Sequence, residues 1–350
     1  MPLAHRRHER SRRYFRSCGS LLFLFAVFKI YFGQQDKSHD ELQNLLAQKH
    51  AKIFAVELFH GTSNRLRAYA SAAALARKME RSLVVVWNAD VHAQYLFSDL
   101  FTNVQGILVE DGRDVLQKLR SSKSGVDIYD YMKPLEKGAT VYNTEKHIYV
   151  RSAYVINGAS EIKEALINHE LQKLRPVKFI QDLVDEKVNW LGTKPFIGAH
   201  IRMLSNLHED IPGIMELLNS DPSGLDVMNP AVKYREKCHV EYFIPHLYNA
   251  LQNDTSAVIY VASDSYDSII RLVEEFGEHK VFYSVEVQNA KCTSSDSKER
   301  RRVLCTRLAI VDFVLLSRAK FLLTSDWSSA SEYIVRLGSP SHQSGCLVKI

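Results

Sequence analysis

The sequence predicts an α/β protein with two Rossmann-like lobes and a cleft between them. Two observations carry that prediction. Short runs of apolar residues alternate with helical segments along the chain, and most of these runs are apolar throughout instead of at every second position. A continuously apolar strand fits a parallel sheet that helices cover on both faces. With 350 residues and 46% hydrophobic content, the chain is long enough to bury two cores.

In the first half, the pattern favours a strand, an Ala-rich helix, a second strand and a further helix. These elements cover residues 53–58, 65–79, 83–87 and 92–101. Residues 106–154 are less regular and contain short β-like pieces such as 147–150. An amphipathic helical stretch over 160–189 follows, and we expect an interruption at Pro176, because proline lacks the N–H that a helix interior needs.

The second half opens with the apolar run 196–201, which predicts a central strand. A loop rich in Ser, Asn, Pro and Gly covers residues 203–230, and loops of that length in compact domains are often functional. Alternation then resumes with helices over 238–252, 266–276, 298–317 and 329–337, and with strands over 257–262, 280–283 and 320–324.

The N-terminus predicts a membrane anchor. Residues 1–18 form a basic tail and 19–33 an apolar segment, which together favour a signal anchor with the body on the luminal side. The apolar core is shorter than the roughly 20 residues of a membrane helix, so a cleaved signal peptide or a targeting presequence stays open. Residues 34–50 are polar and predict a stem. The lobes are expected over 51–190 and 191–350.

The charge distribution argues against nucleic acid as a partner. Residues 1–17 hold six Arg and one Glu, so the rest of the chain carries 39 basic and 39 acidic side chains. A nucleic-acid-binding domain normally shows a basic excess within the domain itself.

Four of the five cysteines lie in the second half, at positions 238, 292, 305 and 346. An even set in a luminal body predicts two disulfides in any of three connectivities. If the body is not luminal, four buried free thiols are the alternative.

Three segments could bind an anion. His200-Ile-Arg202 ends the central strand and presents an imidazole and a guanidinium on one pleat face, although such a pair is often ordinary surface. The turn at Gly61 joins a strand to a helix N-terminus, where Ser63 or Asn64 could instead be only a cap. A hydroxyl cluster over 324–329 repeats that arrangement. All three lie at carboxyl ends of strands, where open α/β sheets bind ligands.

Absent motifs narrow the chemistry. The sequence has no Asp-x-Asp metal pair, no His-Glu-x-x-His, no Cys-x-x-Cys, no Walker loop, no Gly-x-Gly-x-x-Gly and no Gly-x-Ser-x-Gly. These absences disfavour zinc hydrolases, P-loop kinases, serine hydrolases and the usual dinucleotide oxidoreductases. Binding of an anion by Arg, His, hydroxyls and helix ends remains.

The ordered set of motifs resembles the fucosyltransferases that include the α1,6-, nodulation and protein O-fucosyl enzymes. The segment 61–67 with 81–87 is similar to their opening, His200-Ile-Arg202 to their His-x-Arg motif, and 260–264 to the strand that follows it. Residues 312–317 with 324–329 are similar to their C-terminal motif. The order and approximate spacing agree across residues 53–337.

This resemblance implies a GT-B fold and inverting transfer of fucose from GDP-fucose to a glycan or glycoprotein hydroxyl, with no required metal or other cofactor. The lobe 51–190 would then lie on the acceptor side, and 191–350 would bind the nucleotide sugar. Together with the predicted anchor, this reading gives an enzyme of the Golgi or endoplasmic reticulum, a single-pass type II membrane protein with a luminal body.

The resemblance also implies site residues. Arg202 would stabilise the leaving diphosphate, and Glu209 or Asp210 would act as the base, with His208 as a third candidate. The donor-binding set would comprise Gly61, Asn64, Arg65, His200, Arg202, Asp312, Ser328 and Ser329. Within it, His200 and Asp312 would contact the nucleoside, although an ion pair or a cap is an equal reading of Asp312.

Two positions depart from the family pattern. Met203 stands where the α1,6 branch has a second Arg, and Thr62-Ser63 stands where relatives often have a second Gly. Two alternatives therefore stay open. One is a glycosyltransferase that uses another nucleotide sugar, and the other is an inactive module that binds glycan or protein through the cleft.

Overall fold

The computed structural model describes residues 37–159, 162–203, 237–293 and 302–346. Within these ranges the chain forms two five-stranded sheets whose strand pairs are all parallel. The two-lobed α/β prediction is thus confirmed. No helix within the described ranges is long and apolar enough to cross a membrane. The predicted anchor, residues 19–33, lies outside these ranges.

The first sheet has the strand order β3-β2-β1-β5-β4. Its strands are β1 (Ile53–Leu58), β2 (Ser82–Val86), β3 (Ile107–Val109), β4 (Val126–Asp130) and β5 (His147–Ser152). Its helices are α1 (37–47), α2 (Thr62–Lys78), α3 (Val115–Arg120) and α4 (Glu164–Gln172). Helices α1 and α3 pack on one face, and α2 packs on the other.

The second sheet has the order β10-β9-β6-β7-β8. Its strands are β6 (Phe196–Ile201), β7 (Val258–Ser263), β8 (Val281–Phe282), β9 (Phe321–Thr324) and β10 (Ser341–Ser344). The remaining helices are α5 (Lys178–Leu191), α6 (Val240–Asn253), α7 (Tyr266–Phe276), α8 (Val285–Asn289), α9 (Val303–Leu316) and α10 (Ser329–Gly338).

The two lobes share a hydrophobic core. Helix α9 packs against α5, and α10 packs against both α2 and α4. One apolar cluster therefore runs from β1 and α2 of the first lobe to α9 and α10 of the second. A separate cluster fills the space between the second sheet and helices α6 and α7. The contact between α2 and α10 matters for the site, because each of these helices begins at a candidate turn.

The prediction of a helix over residues 92–101 is wrong. Only a short 3-10 helix forms there, over Phe97–Asp99. The Asp90 carboxylate accepts hydrogen bonds from the backbone N–H groups of His92 and Ala93, at 2.8 and 2.9 Å, and Asp99 accepts from Leu96 N–H at 2.9 Å. Such local side-chain bonds satisfy backbone groups that a helix would otherwise use.

Residues 37–47, within the segment that composition marks as a stem, form helix α1 and pack on the first lobe. Leu42 is fully buried against the first sheet.

The four cysteines of the second half pair as Cys238–Cys346 and Cys292–Cys305, one of the three connectivities that the sequence allows. The predicted break at Pro176 is confirmed, since α4 ends at Gln172 and α5 begins at Lys178.

Candidate functional site

Three neighbouring strands of the second sheet end at one rim. Strand β6 lies between β7 and β9, and the residues that follow these strands are Arg202, Asp264 and Ser325. Parallel strands bring their carboxyl ends to the same edge, and ligands of α/β sheets bind there. At this rim the Arg202 guanidinium is paired with Asp264, and the Ser325 hydroxyl accepts from the Arg202 backbone N–H.

His200 lies one residue before the end of β6 and is buried. Its Nδ1 is 2.7 Å from the Oγ of Ser331 in the first turn of α10, and the ring of Phe313 meets it edge to face. Burial lowers the pKa of His200 to about 4, so the imidazole is neutral at pH 7. A neutral ring here positions α10 and adds no charge to the rim.

Arg202 is paired with an acid on the neighbouring strand. Its Nη1 lies 2.5 Å from Oδ2 of Asp264, and Oδ1 of Asp264 accepts from the backbone N–H of Met203 at 2.8 Å. The Arg202 side chain is 38% exposed, whereas the carboxylate is largely covered. A guanidinium has five N–H donors. One arm can therefore stay on Asp264 while the others face an anionic ligand.

Ser325 fastens the turn between β9 and α10 to the end of β6. Its Oγ accepts from Arg202 N–H at 2.9 Å and donates to the His200 carbonyl at 3.1 Å. Ser328 is the N-cap of α10, because its Oγ accepts from Ser331 N–H at 3.3 Å, and Ser329 is the first residue of the helix. The first N–H groups of a helix attract anions. This helix start is next to Arg202.

The candidate turn of the first lobe precedes α2. Gly61 is the N-cap residue, with an extended backbone, and a side chain built at this position would meet no atom within 4 Å. Asn64, in the first turn, accepts from Arg67 Nη2 at 2.7 Å. Arg67 Nη1 lies 2.8 Å from Glu332 Oε2 of α10. The starts of α2 and α10, one from each lobe, therefore lie side by side.

Arg65, in the first turn of α2, lies inside the first lobe. Its side chain has 0% exposure and points into the first lobe. It donates to the carbonyls of His60 and Asn88, both at 2.7 Å, and lies 2.7 Å from Oδ2 of Asp90. The guanidinium also lies over the ring of Trp87. Burial lowers the pKa of Arg65. A direct contact with a donor would require this network to open.

Asp312 lies on α9 beneath the second sheet and is buried. Its Oδ1 accepts from Tyr260 OH at 2.7 Å and from Ser284 Oγ at 2.5 Å. Burial, the largest influence, raises the pKa of Asp312 to about 6. Tyr260 pairs with Gly198, two residues before His200 on β6. The structure therefore places Asp312 below the rim, in a closed hydrogen-bonded group.

The two candidate bases, Glu209 and Asp210, lie outside the described residues, as does His208. The sequence reading missed Ser331 and Glu332, which connect α10 to His200 and Arg67. Both lie in the first turn of the helix that follows the hydroxyl cluster. Their position in the sequence could have identified them, because the first turn of a helix that follows such a strand faces the same rim.

A cavity of about 520 Å³ lies elsewhere, between α1 and the segment before β3. Its lining includes Glu41, Phe97 and Asn103, and none of the rim residues. We place the candidate site at the rim, because charge, hydroxyls and helix starts converge there, and not at this cavity.

Among the described residues, no group of three or more His, Cys, Asp or Glu side chains is arranged to hold a metal ion.

No protein-family model and no curated protein matches the sequence. Solved structures do match by fold. The crystal structure of the fucosyltransferase NodZ from Bradyrhizobium covers 81% of this chain and 92% of its own, with 14% identity and a TM-score of 0.52. The NodZ α-1,6-fucosyltransferase co-crystallised with GDP covers 81% and 91%, with 14% identity and a TM-score of 0.50. The chain thus has the two-lobed GT-B-like fold of these fucosyltransferases.

Proposed function

We propose that the chain is an inverting glycosyltransferase that transfers fucose from GDP-fucose to a hydroxyl of a glycan or glycoprotein, without a required metal. The observation that carries the proposal is the position of Arg202. Its guanidinium stands at the carboxyl end of the central strand, and its backbone N–H is bonded to Ser325 in the turn before α10, in a chain with the fold of fucosyltransferases. NodZ has been crystallised with GDP, and a diphosphate suits a guanidinium next to free helical N–H groups.

In the proposed reaction, the acceptor oxygen attacks the anomeric carbon of the donor as the bond to the β-phosphate oxygen breaks. The bonding electron pair leaves with that oxygen, so negative charge grows on the diphosphate. Arg202 and the first amides of α10 stabilise this charge, which is the general role of preorganised donors. The acceptor proton passes to a base, for which Glu209 and Asp210 remain the proposed residues.

The residues around Arg202 hold its side chain and its backbone in place. Asp264 holds the guanidinium at the rim, and Ser325 links the Arg202 backbone to the turn before α10. Neutral His200 holds Ser331 in the first turn of that helix. Nucleoside contacts by His200 and Asp312, and donor contacts by Gly61, Asn64, Ser328 and Ser329, form part of the proposal.

We also propose that the body lies in the lumen of the Golgi or endoplasmic reticulum, behind a type II anchor. Two disulfides cross-link residues within the second lobe. Disulfides persist in the secretory pathway and are rare in the cytosol, which supports this compartment.

A thermal-shift panel of GDP, UDP and their sugars tests the proposal on the full chain with its disulfides intact. GDP and GDP-fucose should raise the melting temperature, because a ligand that binds only the folded state stabilises it. Incubation of GDP-fucose with candidate acceptors should then release GDP. If no nucleotide raises the melting temperature, the proposal fails.

An inactive binding module is the second candidate. Met203 replaces the second Arg of the α1,6 branch, and Asp264 already neutralises part of the Arg202 charge. Stabilisation by GDP with no transfer to any acceptor would favour this candidate.

A further inference from the structure

An indole is exposed in the turn that joins β9 to α10. Trp327 is 66% exposed, and it lies between Ser325, which is bonded to the end of β6, and Ser328, the N-cap of α10. Large aromatic side chains usually lie mostly inside proteins. This ring contributes little to either core, yet it stands at the rim where the proposed diphosphate site lies.

The backbone at this position is strained. Trp327 has φ of 55°, in the left-handed region that non-glycine residues rarely adopt. A left-handed residue with a side chain costs roughly 1–2 kcal/mol. Such strain persists only where the surroundings fix it, and it is enriched at ligand sites. Glycine would relieve it, but the chain has a tryptophan there.

The turn is fixed on both sides of the indole. Ser325 is bonded to the His200 carbonyl and to Arg202 N–H, and its own N–H donates to Ser331 Oγ at 3.2 Å. Asp326 N–H lies 3.2 Å from the sulfur of Cys346, and on the other side of the indole Ser328 Oγ accepts from Ser331 N–H at 3.3 Å. The backbone on both sides of Trp327 is thus held by hydrogen bonds of its neighbours.

We propose that Trp327 is a specificity-determining residue that stacks on the sugar ring of the nucleotide-sugar donor. The inference rests on the proposed function, because it assumes that Arg202 and the α10 start hold a diphosphate. The donor sugar is bonded directly to the outer phosphate, whereas the base is separated from it by the ribose and a second phosphate. A pyranose ring has an apolar C–H face, and an indole offers a large rigid surface for it.

The test compares donor and nucleotide on three full-length variants: Trp327→Ala, Trp327→Phe and the control Trp190→Ala. Trp190 is 50% exposed at the end of α5, away from the rim, where it contacts Phe282. Isothermal titration with GDP and with GDP-fucose gives both dissociation constants for each protein. Loss of the exposed ring should not prevent folding, and circular dichroism checks this.

We expect Trp327→Ala to weaken GDP-fucose binding about tenfold, as is typical for the loss of one aromatic stacking partner, and to change GDP binding by no more than about twofold. Trp327→Phe should keep most of the donor affinity, and Trp190→Ala should match the wild type. Tryptophan fluorescence should respond to GDP-fucose more than to GDP, and this difference should vanish in Trp327→Phe.

Two results would overturn the inference while leaving the proposed function standing. If Trp327→Ala weakens GDP and GDP-fucose equally, the indole contacts the nucleotide and not the sugar. If it weakens neither, the indole takes no part in donor binding. If wild-type protein binds neither ligand, the proposed function itself fails and the inference falls with it.

Discussion

The buried carboxyl of Asp312 gives a prediction whose size and sign follow from the structure. Its pKa is about 6 in the folded chain against an ordinary 3.8, mainly because burial disfavours the charged form. The folded state therefore binds this proton more tightly than the unfolded state. By linkage, ionisation of Asp312 costs stability as the pH rises from 3.8 to 6, about 3 kcal/mol in all.

Asp312→Asn removes that titration and keeps the amide oxygen in place to accept from Tyr260 and Ser284. The penalty in the wild type is about 1 kcal/mol at about pH 4.5 and about 3 kcal/mol at about pH 8. Relative to wild type, the variant should thus gain about 2 kcal/mol between these pH values. Any fixed cost of the new amide N–H groups cancels in this difference.

Urea unfolding at both pH values, with disulfides intact, measures the difference. Asp185→Asn is the control, because Asp185 is exposed on α5. An equal stability change of Asp312→Asn at both pH values would refute the reasoning about burial. GDP titration of the same variant tests the nucleoside role. A loss of GDP affinity beyond about tenfold, with folding intact, would indicate that this carboxyl also binds the ligand.

Three further predictions concern the second lobe. Burial lowers the pKa of His200 to about 4 from 6.5, so protonation of this ring should lower the stability of the wild type relative to His200→Gln by about 3 kcal/mol as the pH drops through this interval; urea unfolding of both proteins measures the difference, and a difference that does not change with pH would count against it. Cys346→Ser opens a cross-link to Cys238 over 108 residues. It should cost about 4 kcal/mol in urea unfolding, and a loss below about 1 kcal/mol would contradict this. An added methyl at Gly198 would lie 2.9 Å from Leu316 at the end of α9. Gly198→Ala should therefore lower the free energy of unfolding by about 1–3 kcal/mol. An unchanged melting temperature would contradict this and show that the Leu316 side chain gives way freely.

The central strands and their helices were predictable because the pattern of apolar residues indicates which positions are buried. The strands over 53–58 and 196–201 and the helix over 266–276 have the predicted bounds. Apart from Glu57 and His200 the two strands are apolar, and the helix has a clear helical period. Edge elements were not predictable. Strand β10 has the sequence Ser-His-Gln-Ser and is mostly exposed, so pairing with β9 and the nearby disulfide define it.

The site was predictable at the level of strand ends and not at the level of partners. His200, Arg202 and the hydroxyl cluster lie at one rim, because the carboxyl ends of parallel strands meet there. The pairing of Arg202 with Asp264 depends on strand order, which no local pattern encodes. The burial of Arg65 depends on Asp90, which is distant in sequence and was expected to precede a helix.

Arg202 is the group that holds the diphosphate in the proposed reaction. Arg202→Ala removes the guanidinium and also leaves the largely covered Asp264 carboxylate without its partner. Removal of a charged hydrogen-bonding partner costs about 1.5–3 kcal/mol, or about ten- to a hundredfold in affinity. The double variant Arg202→Ala/Asp264→Asn separates the two effects, because it removes the repulsive acid as well.

Isothermal titration of GDP into the full chain is the most direct measurement. Arg318→Ala is the matched control, since Arg318 is exposed and precedes β9 at the opposite end of the sheet. We predict that wild type and Arg318→Ala bind GDP equally, that Arg202→Ala binds at least about tenfold more weakly, and that the double variant recovers only part of the loss. Wild-type affinity for GDP in a folded Arg202→Ala protein would contradict the account.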